Sequence, residues 1–153
     1  MPGPATARLP KPKAADEFED IAADVLRIHW GEPNAQRFGR NGQRQHGVDI
    51  LCQPPILEGA WAGAQCKNGE TLPFSEVVAD LDLAARFRPP LRQFCIMTSA
   101  GRDATVQHRL AEMETHRSYP FKVLILFWED IVTILAGVPH WSKNIGARSR
   151  FRD

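Results

Sequence analysis

The sequence predicts an α/β fold in which a mixed central sheet of about four or five strands is flanked by helices. Segments with helical periodicity alternate with short strand patterns along the chain. A pair of strands bounded by Gly and Pro lies near residues 48–68, and two apolar runs follow it at residues 93–98 and 121–128. Strands that alternate with helices in this way form a sheet whose faces the helices cover.

Each element follows from a local pattern. Apolar residues recur at three- and four-residue steps in the helical segments, and Asp103 is expected to cap the third helix. The run FKVLILFW at 121–128 is the most hydrophobic strand pattern, so we expect it at the sheet centre. The expected elements are, in order, helix 14–29, strands 48–53 and 60–68, helix 72–86, strand 93–98, helix 103–117, strand 121–128 and helix 129–136.

One domain is expected over residues 14–138. The chain of 153 residues is long enough for a substantial core, and its 43% hydrophobic and 24% charged residues are ordinary for a globular protein. Residues 1–13 contain four of the twelve prolines and three basic residues, which is typical of a disordered lead-in. Residues 139–153 are expected to be a basic tail or a truncated linker.

The composition predicts a cytoplasmic protein without a membrane partner. No apolar run approaches the roughly 18 residues of a membrane span, and the N-terminal residues lack the apolar segment of a secretory signal. Three cysteines fall in expected strands without the spacing of a zinc site. Reduced, buried thiols are therefore expected.

The strand pair carries the polar residues on which the functional interpretation depends. Side chains alternate along a strand, so Asp49, Gln65 and Lys67 are expected on a solvent-facing side of the hairpin. Cys52 and Cys66 would then face the core. A carboxylate, an amide oxygen and an ammonium group on one rigid hairpin suit a hard cation together with an anionic substrate.

At these residues the chain resembles the PD-(D/E)xK nuclease superfamily, in its Mrr-like, restriction-endonuclease-like branch. That family places an Asp on one strand, an acid or Gln two residues before a Lys on the next, and a Glu on the preceding helix. The matching positions are Asp49, Gln65-Cys66-Lys67 and Glu19, and the resemblance covers about residues 18–135. Val48 stands where the family has Pro, and Gln65 removes one negative charge from the site.

The resemblance implies a restriction-endonuclease-like fold and a Mg²⁺-dependent endonuclease that hydrolyses phosphodiester bonds of DNA, with duplex DNA as the expected substrate. It implies Mg²⁺, or Mn²⁺ in its place, held by Asp49, Gln65, the backbone carbonyl of Cys66 and, through water, Glu19. Lys67 would orient the attacking water. Similarity to the nuclease domains of bacterial anti-phage effectors implies further domains or a sensor partner, and a homo-oligomer is possible.

The positive charge of the chain is concentrated in short segments and is not spread over the whole sequence. The net charge is +1, but residues 1–13 and 143–153 each carry +3, which leaves −5 for the rest of the chain. The core should therefore not hold nucleic acid by charge alone. Phosphate contacts are expected from a glycine-rich loop with four polar residues: Arg37, Arg40, Arg44 and Gln45.

Two other interpretations remain open from the sequence. The protein could be a catalytically inactive relative that binds nucleic acid or protein, which Gln65 favours. It could also be a nuclease that prefers RNA or branched DNA. A metal titration tests the first alternative, and a panel of nucleic-acid substrates tests the second.

Overall fold

A computed structural model describes residues 10–37, 47–116 and 118–137, which form a five-stranded mixed sheet with helices on both faces. The predicted fold class, an α/β mixed sheet flanked by helices, is confirmed. A 3-10 turn at Pro55–Leu57 joins the second and third strands. The elements are α1 (Ala15–His29), β1 (Gln36–Arg37), β2 (Ile50–Cys52), β3 (Trp61–Lys67), α2 (Phe74–Ala85), β4 (Leu91–Thr98), α3 (Ala104–Thr115), β5 (Lys122–Leu126) and α4 (Trp128–Ala136).

The five strands lie side by side in chain order. The pairs β1–β2 and β2–β3 are antiparallel, whereas β3–β4 and β4–β5 are parallel and are joined by α2 and α3. In the β2–β3 ladder Ile50 pairs with Ala64, and the N–H of Asp49, just before β2, bonds to the carbonyl of the same Ala64. Asp49 therefore lies against the part of β3 that contains Gln65.

Each face of the sheet has its own hydrophobic core. On one face α1 and α4 pack with residues such as Phe18, Cys95 and Ile131. On the other, α2 packs with residues such as Leu81 and Phe94. Strands covered on both sides need apolar residues on both sides, which explains the continuous apolar runs in β4 and β5. The three cysteines have free thiols, as expected; Cys52 and Cys95 are buried, and Cys66 is half-buried.

The expectation that residues 121–128 form the central strand is wrong. They form β5, which pairs with β4 alone among the described strands and so lies at the sheet edge. The apolar character of β5 comes from burial: Val123 belongs to one core and Leu126 to the other. Glu114 Oε1 accepts a hydrogen bond from the N–H of Val123 at 3.0 Å. Backbone N–H groups on an edge strand often lack a partner, and this bond gives one of them an acceptor.

The other elements begin and end within three residues of their predicted bounds, and β1 is an addition that the sequence patterns did not indicate. Asp103 caps α3, as predicted, because its carboxylate accepts hydrogen bonds from the N–H groups of Thr105 and Val106. None of the described helices combines the length and apolarity needed to cross a bilayer. The expected lead-in lies mostly outside the described residues, and the expected tail lies wholly outside them.

Candidate active site

Asp49 is held by the backbone at the point where β2 begins. Its N–H donates to the carbonyl of Ala64 at 2.7 Å, and its Oδ2 accepts from the N–H of Cys66 at 2.8 Å. Gly47, two residues before Asp49, has φ +82°, and a Cβ there would lie 2.8 Å from the Cβ of Leu83 on α2. Only glycine tolerates both the positive φ and this close approach, so Gly47 fixes the turn that leads into β2.

Asp49 is 5% exposed, and the charge of its carboxylate is only partly compensated. Burial raises the pKa of Asp49, whereas the hydrogen bond from Cys66 and the charges of Lys67 and Arg37 lower it without cancelling the effect of burial. A desolvated carboxylate of this kind favours a nearby cation. The local electrostatics therefore suit a positively charged ligand.

Gln65 and Lys67 lie on the face of β3 that α2 covers. This face is only partly open to solvent, because Lys67 Nζ lies 3.1 Å from Oδ1 of Asp80, a buried residue of α2. The Oε1 atom of Gln65 is buried and has no hydrogen-bond partner in the described part of the chain. An unpaired buried amide oxygen costs free energy, so this position calls for a partner.

Glu19 approaches the site from α1. Its side chain is 14% exposed, and its Oε2 lies 2.7 Å from Nη2 of Arg37. Burial and the charge of Asp49 raise the pKa of Glu19, and Arg37 opposes them. Desolvation raises the pKa of the Cys66 thiol well above its ordinary value, and the charges of the same two carboxylates raise it further. Glu19 is therefore close enough to Asp49 for the two carboxylates to interact.

Arg37 is a strand residue, so its assignment to the glycine-rich loop is wrong. It lies in β1, and its guanidinium forms ion pairs with Asp16 at 2.8 Å, Glu19 at 2.7 Å and Asp20 at 3.3 Å. These carboxylates occupy the groups with which Arg37 was expected to contact phosphates. The other loop residues with that expected role, Arg40, Arg44 and Gln45, lie outside the described residues.

Asp80 is a site residue that the sequence reasoning missed. It shares the buried stripe of α2 with Val77, Leu81 and Ala84, where an apolar side chain is normal. The sequence signal that could have identified Asp80 is the presence of a carboxylate on this otherwise apolar stripe. Only the packing of α2 against β3 shows that its partner is Lys67.

The site lies where β3 ends. Lys67 is the last residue of β3, and Asp49 bonds to the adjoining Cys66. In open α/β sheets, ligands bind beyond the carboxyl ends of the parallel strands. The position of the site within the sheet is thus one at which substrates are usually bound.

Two grooves lie elsewhere on the surface. One, of about 420 Å³, runs between α2, α3 and the start of β5, and the other, of about 440 Å³, runs along β1 and β2. Neither is lined by Asp49, Gln65 or Lys67. The candidate site is therefore identified by its charges and its unpaired oxygen and not by a cavity.

The residues present fit a hard divalent cation. No three His, Cys, Asp or Glu side chains within the described ranges form a group that could hold a metal by themselves. The expected ligand set is of another kind, because it joins a carboxylate to an amide oxygen and a backbone carbonyl. The unpaired Oε1 of Gln65 and the desolvated carboxylate of Asp49 are the oxygen donors that Mg²⁺ prefers.

No protein-family model, curated protein or solved structure matches this chain. The resemblance to the PD-(D/E)xK nucleases therefore depends on the residues described above.

Proposed function

We propose that the protein is a Mg²⁺-dependent endonuclease that hydrolyses phosphodiester bonds of duplex DNA. The observation that carries the proposal is the environment of Asp49. This buried carboxylate interacts electrostatically with Glu19 and Lys67, and it accepts a hydrogen bond from Cys66, the residue next to Gln65 with its unpaired oxygen. Two oxygen ligands beside an ammonium group match the needs of phosphodiester hydrolysis.

The roles follow from the groups that each residue presents. Asp49 and Gln65 would hold Mg²⁺ together with the backbone carbonyl of Cys66, and Glu19 would contribute through water. The bound cation would neutralise negative charge on the phosphate oxygens. Mn²⁺ should substitute, because it accepts the same oxygen ligands.

Lys67 supports the reaction through its N–H donors. An ammonium group has three donors, and Asp80 accepts from one of them. The side chain is 30% exposed, so the others can reach solvent. They would orient the attacking water and stabilise the negative charge that develops on the phosphate.

The direct test is cleavage of supercoiled plasmid DNA in the presence of Mg²⁺, Mn²⁺, Ca²⁺ or EDTA. We expect nicked or linear products with Mg²⁺ and Mn²⁺ and none with EDTA or with the Asp49→Asn variant. Asp103→Asn is the matched control, since an asparagine caps a helix as well as an aspartate does. Normal cleavage by Asp49→Asn would place the chemistry elsewhere and contradict the proposal.

A second candidate function is a catalytically inactive nucleic-acid-binding module. It is favoured by the two ion pairs that occupy Glu19 and Lys67, and by the missing charge at Gln65. This protein would bind DNA without cleaving it under any metal condition. Running the same assay on single-stranded DNA, branched DNA and RNA distinguishes it from a nuclease with another substrate preference.

The wider biological role is an expectation from the resemblance. An effector domain in anti-phage defence, coupled to a sensor or assembled into an oligomer, would gain affinity for DNA when several copies are brought together. The net charge of −5 between the two basic ends supports this idea, because a single copy should hold a polyanion weakly. Cleavage that depends steeply on protein concentration would support it.

A further inference from the structure

Asp80 is a carboxylate in a place where the fold calls for an apolar residue. Its side chain is 8% exposed, and its neighbours on the inner face of α2 are Val77, Leu81 and Ala84. Oδ1 lies 3.1 Å from Lys67 Nζ. Oδ2 is buried and has no hydrogen-bond partner within the described residues. The contact with Lys67 is thus the interaction on which this buried charge depends.

Stability alone does not account for such a residue. A buried carboxylate loses its hydration, and replacing a buried ion pair by apolar residues of similar size is often neutral or stabilising. Burial raises the pKa of Asp80, and the charge of Lys67 opposes this without cancelling it. The pair therefore stabilises the fold little, which points to a role for the position of the ammonium group.

We propose that Asp80 is a positioning residue that holds the ammonium group of Lys67 at the end of β3, beside Asp49. A lysine side chain is long and flexible, so an unrestrained Nζ would sample many positions. The carboxylate of Asp80 approaches from α2, and Asp49 lies close enough to both groups to affect them electrostatically. This inference rests on the proposed function, in which Lys67 acts on the attacking water.

The kinetic test uses Asp80→Asn, which keeps the shape of the side chain and removes its charge. We expect kcat to fall roughly 10- to 100-fold, since small misplacements of a catalytic group have effects of that size. KM for DNA and the affinity for Mg²⁺ should not change, because Asp49 and Gln65 remain. Asp80→Glu keeps a carboxylate at the position and should recover part of kcat.

Glu76→Gln provides the control for the kinetic test. Glu76 is exposed on the same helix, one turn before Asp80. The substitution removes the same charge from α2 without touching the contact with Lys67. We therefore expect it to keep the kcat of the wild-type protein.

A second readout does not depend on activity. Amine-specific acetylation followed by peptide mass spectrometry gives the modification rate of each lysine in the folded protein. Lys67 should react severalfold faster in Asp80→Asn than in the wild type, because its ammonium group is no longer held. The exposed Lys122 of β5 should react at the same rate in both proteins and serves as the internal reference. Circular dichroism checks that each variant is folded.

The outcomes separate this inference from the proposed function. The positioning role is overturned if Asp80→Asn and Glu76→Gln have the same Lys67 labelling rate and the same kcat. A wild-type protein that cleaves no DNA and binds no Mg²⁺ overturns the proposed function, while the labelling rates still decide whether Asp80 holds Lys67. If Asp80→Asn fails to fold, Asp80→Glu is compared with the wild type in both assays. The longer side chain should then displace the ammonium group and change both rates, and unchanged rates overturn the inference.

Discussion

Arg37 Nη2 lies 2.7 Å from Glu19 Oε2, which links the short edge strand β1 to the helix α1 that covers the sheet. The same guanidinium also pairs with Asp16 and Asp20. Arg37 is 23% exposed and Glu19 is 14% exposed, so water screens their interaction only in part. This cluster keeps a candidate site residue in place and balances a concentration of negative charge on α1.

Arg37→Gln should therefore destabilise the protein. We expect the free energy of unfolding to fall by about 1–2 kcal/mol, between the values for exposed and buried ion pairs. Urea denaturation at low salt measures the change, and the difference should shrink at about 1 M NaCl. Arg92→Gln, at an exposed position of β4, is the control and should be nearly neutral. Equal effects of the two substitutions would show that the cluster around Arg37 does not matter to the fold.

Asp49→Asn should make the metal-free protein more stable and remove its response to Mg²⁺. The amide oxygen can still accept the hydrogen bond from Cys66, while the desolvated charge is gone. We expect a gain of about 1 kcal/mol, as is common when a functional charge is removed from a buried site. Thermal melts with and without Mg²⁺ provide the measurement: Mg²⁺ should raise the Tm of the wild type and leave that of the variant unchanged. A variant that Mg²⁺ still stabilises would rule out Asp49 as a ligand.

Gln65→Glu should have opposite effects with and without metal. The new carboxylate replaces a buried, unpaired oxygen on the residue next to Cys66, to which Asp49 bonds, so desolvation and like-charge repulsion should lower the stability of the metal-free protein. Adding charge to the ligand set should also tighten Mg²⁺ binding, which calorimetry measures directly. Gln65→Met is the companion variant; it should keep the stability of the metal-free protein and weaken Mg²⁺ binding. If none of these quantities changes, the side chain of Gln65 does not face the metal.

The stability of Asp80→Asn relative to the wild type should depend on pH. Burial raises the pKa of Asp80 above its ordinary value of 3.8, so the folded protein retains a proton over a range in which the unfolded chain has lost it. Within that range, which begins near pH 3.8 and ends at the raised pKa, the wild type loses stability as the pH rises. Asparagine does not titrate, so the variant should gain relative to the wild type across the same range. Urea denaturation at several pH values measures the difference, and a flat difference would contradict the raised pKa.

The positions of the main elements could be predicted from the sequence because their causes are local. Helix α1 was predicted from apolar residues at three- and four-residue steps, and the cap of α3 from Asp103, whose carboxylate bonds to N–H groups two and three residues ahead. The Gly- and Pro-bounded pattern likewise predicted the antiparallel hairpin of β2 and β3, which the register of Ile50 with Ala64 shows. In each case the interaction that stabilises the element connects residues within it or next to it.

Only the tertiary structure decided which groups meet across elements. The apolar run in β5 reports burial by helices on both faces, and such burial is possible at the edge of a sheet as well as at its centre. The ion pairs Arg37–Glu19 and Lys67–Asp80 each join a strand to a helix. Their formation depends on which sheet face each helix covers, and that follows from the packing of the whole core and not from any local pattern. For the same reason, the face of β3 that bears Gln65 and Lys67 lies beneath α2, although the alternation of its residues alone was compatible with exposure to water.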